Sequence, residues 1–344
     1  MTIIIGYIAI VGMSRIISPN KKFFSLIASF SLLIIAAFRS IEFGSDTIGY
    51  VKAYQELEYK SLSILIKEFL FGNGKDPVFY IFSKLINMSG ANFRIWLLIL
   101  SGIFIFSVER TIRKYSPYPY LSYVAIISLG YFFFSLTGLR QTLALSLILL
   151  SYPFLKEKKK LPFIVIVFIA SLFHSSALVF LFSYPLANMR LGYKHILGLG
   201  ASLFISVFFS DYIRYFVKIF SWTETLSSYA LQEAKLSYSG FIIQLSILLF
   251  CVIFKERLIK EDTKNLILYN LLFIGLIFQS FAPVIAEFFR ISMYFSIFSI
   301  ILVPRAINVV KDKNLRVLVY FIIFILFVSY ILWTNSFYSY NFLD

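Results

Sequence analysis

Apolar runs of about 15 to 20 residues recur along this chain and are separated by short basic clusters. An α-helix needs a run of about this length to cross the hydrocarbon core of a bilayer. Charged residues make up only 14% of the 344 residues, whereas soluble domains contain about 25%. The sequence therefore predicts an all-α polytopic integral membrane protein and excludes a soluble globular domain.

The apolar runs predict about ten transmembrane helices. They are expected at residues 2–17, 23–38, 91–108, 119–137, 139–154, 195–210, 241–254, 266–281, 291–304 and 317–333. The first run has neither a basic start nor a small-residue cleavage site, so we interpret it as a retained helix. No Gly/Ser/Pro-rich linker or repeat divides the chain, which predicts a single integral membrane domain over residues 1–344.

The stretch 161–186 does not fit a simple crossing. If it enters and leaves on the same side, 20 of the 32 Lys and Arg residues fall on the cytoplasmic side, as the positive-inside rule requires. We therefore predict a re-entrant or short-helix hairpin with residues 173–176 at its tip. Irregular backbone at that depth needs protein or a water-filled cavity around it. This topology also explains the net charge of +15 without a nucleic-acid partner.

Two long segments, 39–90 and 211–240, are predicted on the outer face. Within the first, residues 48–71 carry apolar side chains at helical spacing, which indicates amphipathic helices on the membrane surface.

Three arginines stand outside the predicted cytoplasmic clusters in positions that favour a function: Arg39, Arg140 and Arg290. A guanidinium binds phosphate oxygens through two parallel bonds and keeps its charge when desolvated. Structural explanations stay open for all three. Arg39 can snorkel to the interface, Arg140 can anchor a helix end, and Arg290 can pair with Glu287 three residues earlier.

Two side chains are candidates for a general base. His174 is the only histidine within the predicted hairpin, and a neutral imidazole accepts a proton near neutral pH. Asp46 is the second candidate, although it also suits a helix N-cap. Asp76 precedes Pro77, and this pair is typical of a capped helix start, so we give Asp76 a supporting role only.

The residue types argue against a metal or nucleotide site. The one cysteine, Cys251, permits no intramolecular disulfide, and two histidines without a Cys/His cluster predict no metal. No Gly-rich phosphate loop is present, so no cofactor is expected. The outer arginines and acids instead fit a lipid diphosphate substrate.

Four blocks give the chain a family resemblance: RSIEFGSDTIGY (39–50), GLRQTLA (138–144), FHSSAL (173–178) and FRISMYF (289–295). Their order and spacing resemble the EpsG-like group of Wzy-type polysaccharide polymerases, which make O-antigen or exopolysaccharide. The resemblance implies a multi-pass protein of the bacterial inner membrane with a periplasmic active site. It also implies a metal-independent transferase, similar to the GT-C glycosyltransferases, that moves a growing glycan from undecaprenyl diphosphate to a lipid-linked repeat unit.

Seven residues fall on recurring positions of the family: Arg39, Asp46, Tyr50, Arg140, Gln141, His174 and Arg290. We expect Arg140 and Arg290 to bind the diphosphate, because both begin predicted spans at the outer face, and Arg39 to assist there or to orient Asp46. His174 is the expected base because it lies at the predicted hairpin tip, and Asp46 is the alternative. Supporting positions are expected at Tyr50, Gln141, Glu287, Tyr294 and Asp76. The implied partners are membrane lipid, the undecaprenyl diphosphate-linked donor and acceptor, a chain-length regulator and a flippase.

Two other functions remain open on the sequence alone. A transporter or flippase of lipid-linked sugars also needs arginines and an aqueous cavity, although no internal repeat is found here. A membrane acyltransferase also centres on one intramembrane histidine, but it does not need several outer arginines.

Overall fold

The computed structural model describes residues 6–8, 11–13, 20–43, 46–71, 76–220 and 237–334. In these ranges the regular structure is helical, which confirms the all-α prediction. Most of the predicted span 2–17, and residues 221–236 of the outer segment 211–240, lie outside the described residues.

The chain divides into two compact units. The first comprises residues 1–178 and 311–344, and the second comprises residues 179–310. The described helices of the first unit are α1 (Lys21–Ala37), α2 (Thr47–Glu56), α3 (Leu62–Leu70), α4 (Pro77–Met88), α5 (Phe93–Tyr115), α6 (Pro119–Ser128), α7 (Tyr131–Thr137), α8 (Leu139–Lys156), α9 (Lys160–Phe173) and the C-terminal helix Lys313–Thr334.

The second unit follows a 3₁₀ helix, Ser175–Phe182, in which the boundary between the units falls. Its described helices are α10 (Ser183–Leu186), α11 (Tyr193–Phe208), α12 (Ser210–Phe220), α13 (Ser239–Ile253), α14 (Lys255–Glu261), the 3₁₀ turn Thr263–Asn265, α15 (Leu266–Phe281), α16 (Glu287–Ser296) and α17 (Ser299–Asn308). The C-terminal helix of the first unit is α18.

Three described helices are long and apolar enough to cross a membrane, namely Phe93–Tyr115, Thr263–Phe281 and Lys313–Trp333. Three bent pairs raise the number to six if each pair forms one span. The chain is therefore a multi-pass helical membrane protein by length and composition. The finer prediction of ten spans is not confirmed.

Bends interrupt several of the predicted spans. The span predicted at 119–137 is the pair α6 and α7, bent by 53°, and Gly130 between them has a φ of +80°. Only glycine adopts this left-handed conformation without steric cost, so the chain turns there. The span predicted at 291–304 is likewise the pair α16 and α17, bent by 42°.

Polar caps explain where several helices of the first unit begin. The side chain of Asn20 accepts hydrogen bonds from the backbone N–H groups of Lys22 and Phe23. Asn92 accepts from Ile95 in the same way at the start of α5. Such caps satisfy donors that have no partner within the helix.

The first predicted outer segment forms helices where the apolar spacing predicts them. Helix α2 (Thr47–Glu56) and helix α3 (Leu62–Leu70) together match the predicted range 48–71. Tyr54, Leu57 and Leu65 are buried in a cluster with α4 and α5. Because Trp96 of α5 stacks on Tyr54 with ring centroids 4.7 Å apart, the outer segment is tied to a long apolar helix.

The stretch 161–186 breaks at the predicted tip. Helix α9 ends at Phe173, His174 is extended, and the 3₁₀ helix starts at Ser175. Helix α9 packs along α8 and against α4. Whether the stretch re-enters the membrane stays a prediction.

Close packing in the second unit positions α16 against α15. A Cβ atom on Gly275 would lie 3.2 Å from the backbone nitrogen of Ser296. The Ser292 hydroxyl donates to the Gly275 carbonyl at 2.8 Å. Helix α16, which carries Arg290 in its first turn, is therefore held by its buried face.

Candidate active site

Helices α8 and α9 bring two predicted site residues to one end of a helical hairpin. Only residues 157–159 separate the two helices, and so short a connection makes neighbouring helices antiparallel. The start of α8 and the end of α9 therefore lie at the same end. Arg140 is the second residue of α8, and His174 directly follows α9.

Asp76 lies between these two side chains, at the start of α4. As predicted, Pro77 is the first residue of that helix. The expected capping role is wrong, because the Asp76 side chain makes no capping hydrogen bond. Its φ of 53° and ψ of 54° place the backbone in the left-handed region, which few residues other than glycine, asparagine and aspartate adopt. The carboxylate instead contacts Arg140 and His174.

One carboxylate oxygen is shared by the two side chains. Arg140 Nη1 lies 3.2 Å from Asp76 Oδ2, and His174 Nδ1 lies 3.1 Å from the same oxygen. Burial alone raises the pKa of Asp76. The hydrogen bond from His174, the charges of His174 and Arg140, and the backbone N–H of Ser175 outweigh burial and hold that pKa below its usual range. Asp76 is therefore an ionised acceptor.

Tyr50 of α2 completes the group. Its hydroxyl accepts a hydrogen bond from Arg140 Nε at 3.2 Å, and the guanidinium carbon lies 5.7 Å from the centre of its ring. The ring packs edge-on against Phe79. Burial raises the pKa of Tyr50 more than Arg140 lowers it, so the phenol stays neutral. We call Tyr50, Asp76, Arg140 and His174 the Asp76 cluster.

The cluster is buried at its centre and accessible at its edges. The side chain of Asp76 is 4% exposed, whereas those of Arg140 and His174 are 19% and 17% exposed. A substrate can thus reach the guanidinium and the imidazole, while water is largely kept from the carboxylate that holds them. Charge-assisted hydrogen bonds are stronger where water is excluded.

Two side-chain hydrogen bonds connect the helices that carry the cluster to their neighbours. Trp96 Nε1 donates to Ser83 Oγ at 3.1 Å, and the buried Lys84 donates to the carbonyl of Leu57 at 2.6 Å. The Lys84 contact ties α4 to the C-terminal end of α2. Tyr50 and Asp76, one on each helix, are therefore fixed relative to each other.

Arg39 lies at the ends of two helices, apart from the Asp76 cluster. It is fully buried, and its guanidinium donates to the carbonyl of Ala36 and, at 2.9 Å, to that of Leu136. These carbonyls lie in the last turns of α1 and α7, where helices leave acceptors without an internal partner. Among the described residues, the Asp76 carboxylate interacts with Arg140, His174 and Ser175 and not with Arg39.

Two further predicted residues flank the cluster in sequence. Asp46 is exposed at the N-cap position of α2 and makes no side-chain capping bond there. Gln141 follows Arg140 but is buried, with 3% of its surface exposed. Asp46 stays the alternative base, and Gln141 stays a supporting residue, as predictions.

The remaining predicted residues belong to the second unit. Glu287 and Arg290 are half-buried in the first turn of α16, and Tyr294 is fully buried one turn later. The Arg290 guanidinium carbon lies 5.9 Å from the centre of the Phe289 ring. Their predicted roles are untested.

Among the described residues, no group of three or more His, Cys, Asp or Glu side chains is placed to hold a metal ion. The Asp76 cluster itself offers a guanidinium that can bind an anion and an imidazole that can transfer a proton.

Sequence comparison identifies the family. The model of the EpsG family matches residues 22–343, nearly the whole chain. The chain belongs to the EpsG family. This is a Wzy-like polysaccharide polymerase family, so the resemblance predicted from four short blocks is confirmed. No curated protein and no solved structure matches the sequence significantly.

Within this EpsG-family protein, sequence reasoning underestimated Asp76. Its position before Pro77 was sufficiently explained by a capping role. No feature of the neighbouring sequence distinguishes a capping aspartate from one whose side chain contacts another helix. Asp76, Arg140 and His174 are far apart in sequence, so only the packing of α4, α8 and α9 brings them together.

Proposed function

We propose that this EpsG-family membrane protein is a polysaccharide polymerase that transfers a growing glycan from undecaprenyl diphosphate to a hydroxyl of a lipid-linked repeat unit. The observation that carries the proposal is the Asp76 cluster, in which an accessible guanidinium and an accessible imidazole share one carboxylate. These two groups suit polymer synthesis from a lipid diphosphate, because a guanidinium can stabilise the leaving diphosphate and an imidazole can deprotonate the attacking hydroxyl.

Arg140 binds the diphosphate in this proposal. A guanidinium matches phosphate oxygens in a bidentate manner and stabilises the charge that develops as the glycosidic oxygen departs. Arg140 Nε donates to the Tyr50 hydroxyl, so the terminal nitrogens of the guanidinium remain available to bind phosphate oxygens. Arg290 stays a proposed diphosphate ligand on sequence grounds only, and its variants need separate testing.

His174 is the proposed general base, and Asp76 is the residue that positions it. We assign the proton of the neutral imidazole to Nδ1, because Nδ1 lies 3.1 Å from Asp76 Oδ2 and an ionised carboxylate can only accept. The lone pair is then on Nε2. A carboxylate that fixes the tautomer of a catalytic histidine in this way is a recurring arrangement in hydrolases.

The reaction balances without a cofactor. His174 Nε2 takes the proton of the acceptor hydroxyl, and the hydroxyl oxygen forms a bond to the anomeric carbon of the donor glycan. The bond between that carbon and the diphosphate oxygen breaks with its electron pair. Undecaprenyl diphosphate leaves, and the proton on His174 passes to solvent.

The α8–α9 hairpin supports a periplasmic site. Its turn is surrounded by Lys156, Lys158, Lys159 and Lys160, which the positive-inside rule places in the cytoplasm. The sequence predicts a span at 139–154, and helix α8, which covers it, has 18 residues and is about 27 Å long, close to the ~30 Å of the hydrocarbon core. The Asp76 cluster at the other end then faces the periplasm of the bacterial inner membrane. A chain-length regulator and a flippase are the partners we propose for such an enzyme.

Reconstitution tests the proposed function. Purified protein in liposomes, given an undecaprenyl diphosphate-linked repeat unit as sole substrate, is expected to produce a ladder of polymer lengths. Arg140→Ala and His174→Ala are expected to abolish the ladder at equal amounts of folded protein. Lys52→Ala, which removes an exposed cation from α2, is the matched control and should leave the ladder unchanged.

Other outcomes would contradict the proposal. Movement of intact substrate across the liposome membrane without a ladder would identify a transporter. Transfer of an acyl group to the glycan would identify an acyltransferase. A full ladder from both Arg140→Ala and His174→Ala would show that polymerisation uses another site.

A further inference from the structure

We infer that Asp76 couples substrate binding to catalysis. In the substrate-free protein the carboxylate binds both Arg140 and His174. When a lipid diphosphate binds Arg140 it displaces the carboxylate, which then interacts with His174 and no longer with Arg140. The inference rests on the proposed function and adds an order of events to it. Diphosphate binding would activate the base, so that His174 is strongest only when a donor glycan is present.

The shared oxygen is the starting observation. Asp76 Oδ2 is 3.2 Å from Arg140 Nη1 and 3.1 Å from His174 Nδ1. The positive charge of Arg140 at the same oxygen offsets the negative charge of the carboxylate and disfavours a second positive charge on the imidazole. Arg140 therefore weakens the support that Asp76 gives His174 in the substrate-free protein.

A diphosphate can outcompete the carboxylate for Arg140. It offers more negative charge and more acceptor oxygens than one carboxylate, and guanidinium binds phosphate with two parallel bonds. The Arg140 side chain is 19% exposed, so an incoming anion can approach it. Tyr50 binds Nε and not the terminal nitrogens, and it can keep the arm of the arginine in place while Nη1 changes partner.

The exchange leaves the buried carboxylate with His174 and the N–H of Ser175. An imidazolium beside an otherwise uncompensated carboxylate is favoured, so His174 becomes a stronger base after the exchange. The titratable side chains that interact with Arg140 and Tyr50 from the packed helices are Asp46, Asp76 and Tyr80. Only Asp76 among them contacts both Arg140 and His174.

Reciprocity makes the inference testable by binding alone. If diphosphate binding must displace Asp76 from Arg140, then removing the Asp76 charge must make diphosphate binding tighter. A purely structural role for Asp76 predicts the opposite, since loss of the contact would disorder Arg140 and weaken binding. The two roles thus predict changes of opposite sign.

The test compares Asp76→Asn with Glu58→Gln in nanodiscs. Glu58 is an exposed acid in the same outer segment, so Glu58→Gln controls for the loss of one negative charge near the site. With undecaprenyl diphosphate as the probe, Asp76→Asn is expected to lower Kd roughly threefold to tenfold. The same variant is expected to lower kcat at least about tenfold, because the amide no longer fixes the imidazole. Glu58→Gln should change neither value by more than about twofold.

A second measurement uses the unaltered protein and does not depend on the folding of a variant. The acid limb of the pH profile reports the base in the free enzyme for kcat/KM and in the substrate complex for kcat. With saturating acceptor, we expect the acid limb of kcat to lie at higher pH than that of donor kcat/KM, because His174 is the stronger base once donor is bound.

Each result has a definite meaning. Unchanged or weaker binding of undecaprenyl diphosphate by Asp76→Asn, or coincident acid limbs in the unaltered protein, would overturn the coupling through Asp76 but leave the polymerase proposal intact. Failure of the unaltered protein to bind undecaprenyl diphosphate, or binding that Arg140→Ala does not weaken, would overturn the proposed function itself.

Discussion

Two arginines of the first unit, Arg39 and Arg140, look equivalent in the sequence and differ in the structure. Arg39 is fully buried and donates to backbone carbonyls at the ends of two helices. Arg140 is 19% exposed and pairs with the side chains of Asp76 and Tyr50. Backbone carbonyls at a helix end cannot move away without unravelling the helix, whereas a side-chain carboxylate can lose one partner and retain another.

These contacts suggest different roles, in which Arg39 stabilises the fold and Arg140 can exchange one partner for another. Arg39 places its charge at the negative ends of α1 and α7, which is favourable for the helix dipoles. Arg140 has an accessible face and a competing histidine on the same acceptor. We therefore propose that Arg39 stabilises the fold and that Arg140 binds the substrate.

Loss of the base should give the largest effect. His174→Ala is expected to reduce turnover about 10²- to 10⁴-fold, the usual contribution of a general base. The measurement is glycan addition per folded molecule in liposomes. Added imidazole should restore part of the activity. Normal turnover by His174→Ala would remove it from the mechanism and leave Asp46 as the first alternative.

Replacement of Arg39 should affect stability and not chemistry. In Arg39→Met the carbonyl of Ala36 loses its guanidinium donor, and that of Leu136 retains only a share of the single Thr47 hydroxyl proton, whose oxygen lies 2.7 Å from the Phe43 carbonyl and 3.1 Å from that of Leu136. One unsatisfied buried acceptor costs about 1–3 kcal/mol, so the midpoint of thermal unfolding should fall. Turnover of the protein that remains folded should stay within about twofold. A stable variant that no longer binds diphosphate would return Arg39 to the substrate site.

The hydroxyl of Tyr50 should contribute a smaller effect. Tyr50→Phe keeps the ring against Phe79 but removes the acceptor of Arg140 Nε, so kcat/KM is expected to fall about tenfold, as for one hydrogen bond to a charged group. Tyr59→Phe is the matched control, because Tyr59 lies in the same outer segment and is 89% exposed. An equal loss in both variants would mean that the hydroxyl of Tyr50 has no special role.

The sequence predicts the helical segments better than their breaks. Hydropathy located the apolar helices near 91–108, 266–281 and 317–333, because length and composition are properties of the segment itself. It did not predict the bend at Gly130, since a lone glycine within an apolar run is compatible with a straight helix.

The candidate site was predictable residue by residue but not as an arrangement. Arg140 and His174 stand out because charged and basic groups are rare in apolar runs. Asp76 did not stand out, because the Asp-Pro pair already had a local explanation. The separation of Arg39 from Arg140 depends on which helix end each side chain reaches, and this is decided by tertiary packing.

A structure of the protein with undecaprenyl diphosphate bound tests the central claim most directly. We expect Arg140 to leave Asp76 and contact the diphosphate, His174 Nδ1 to stay within hydrogen-bond distance of Asp76, and Arg39 to keep its contacts with the carbonyls of Ala36 and Leu136. Diphosphate bound away from Arg140, with the contact of 3.2 Å between Arg140 and Asp76 unchanged, would contradict it.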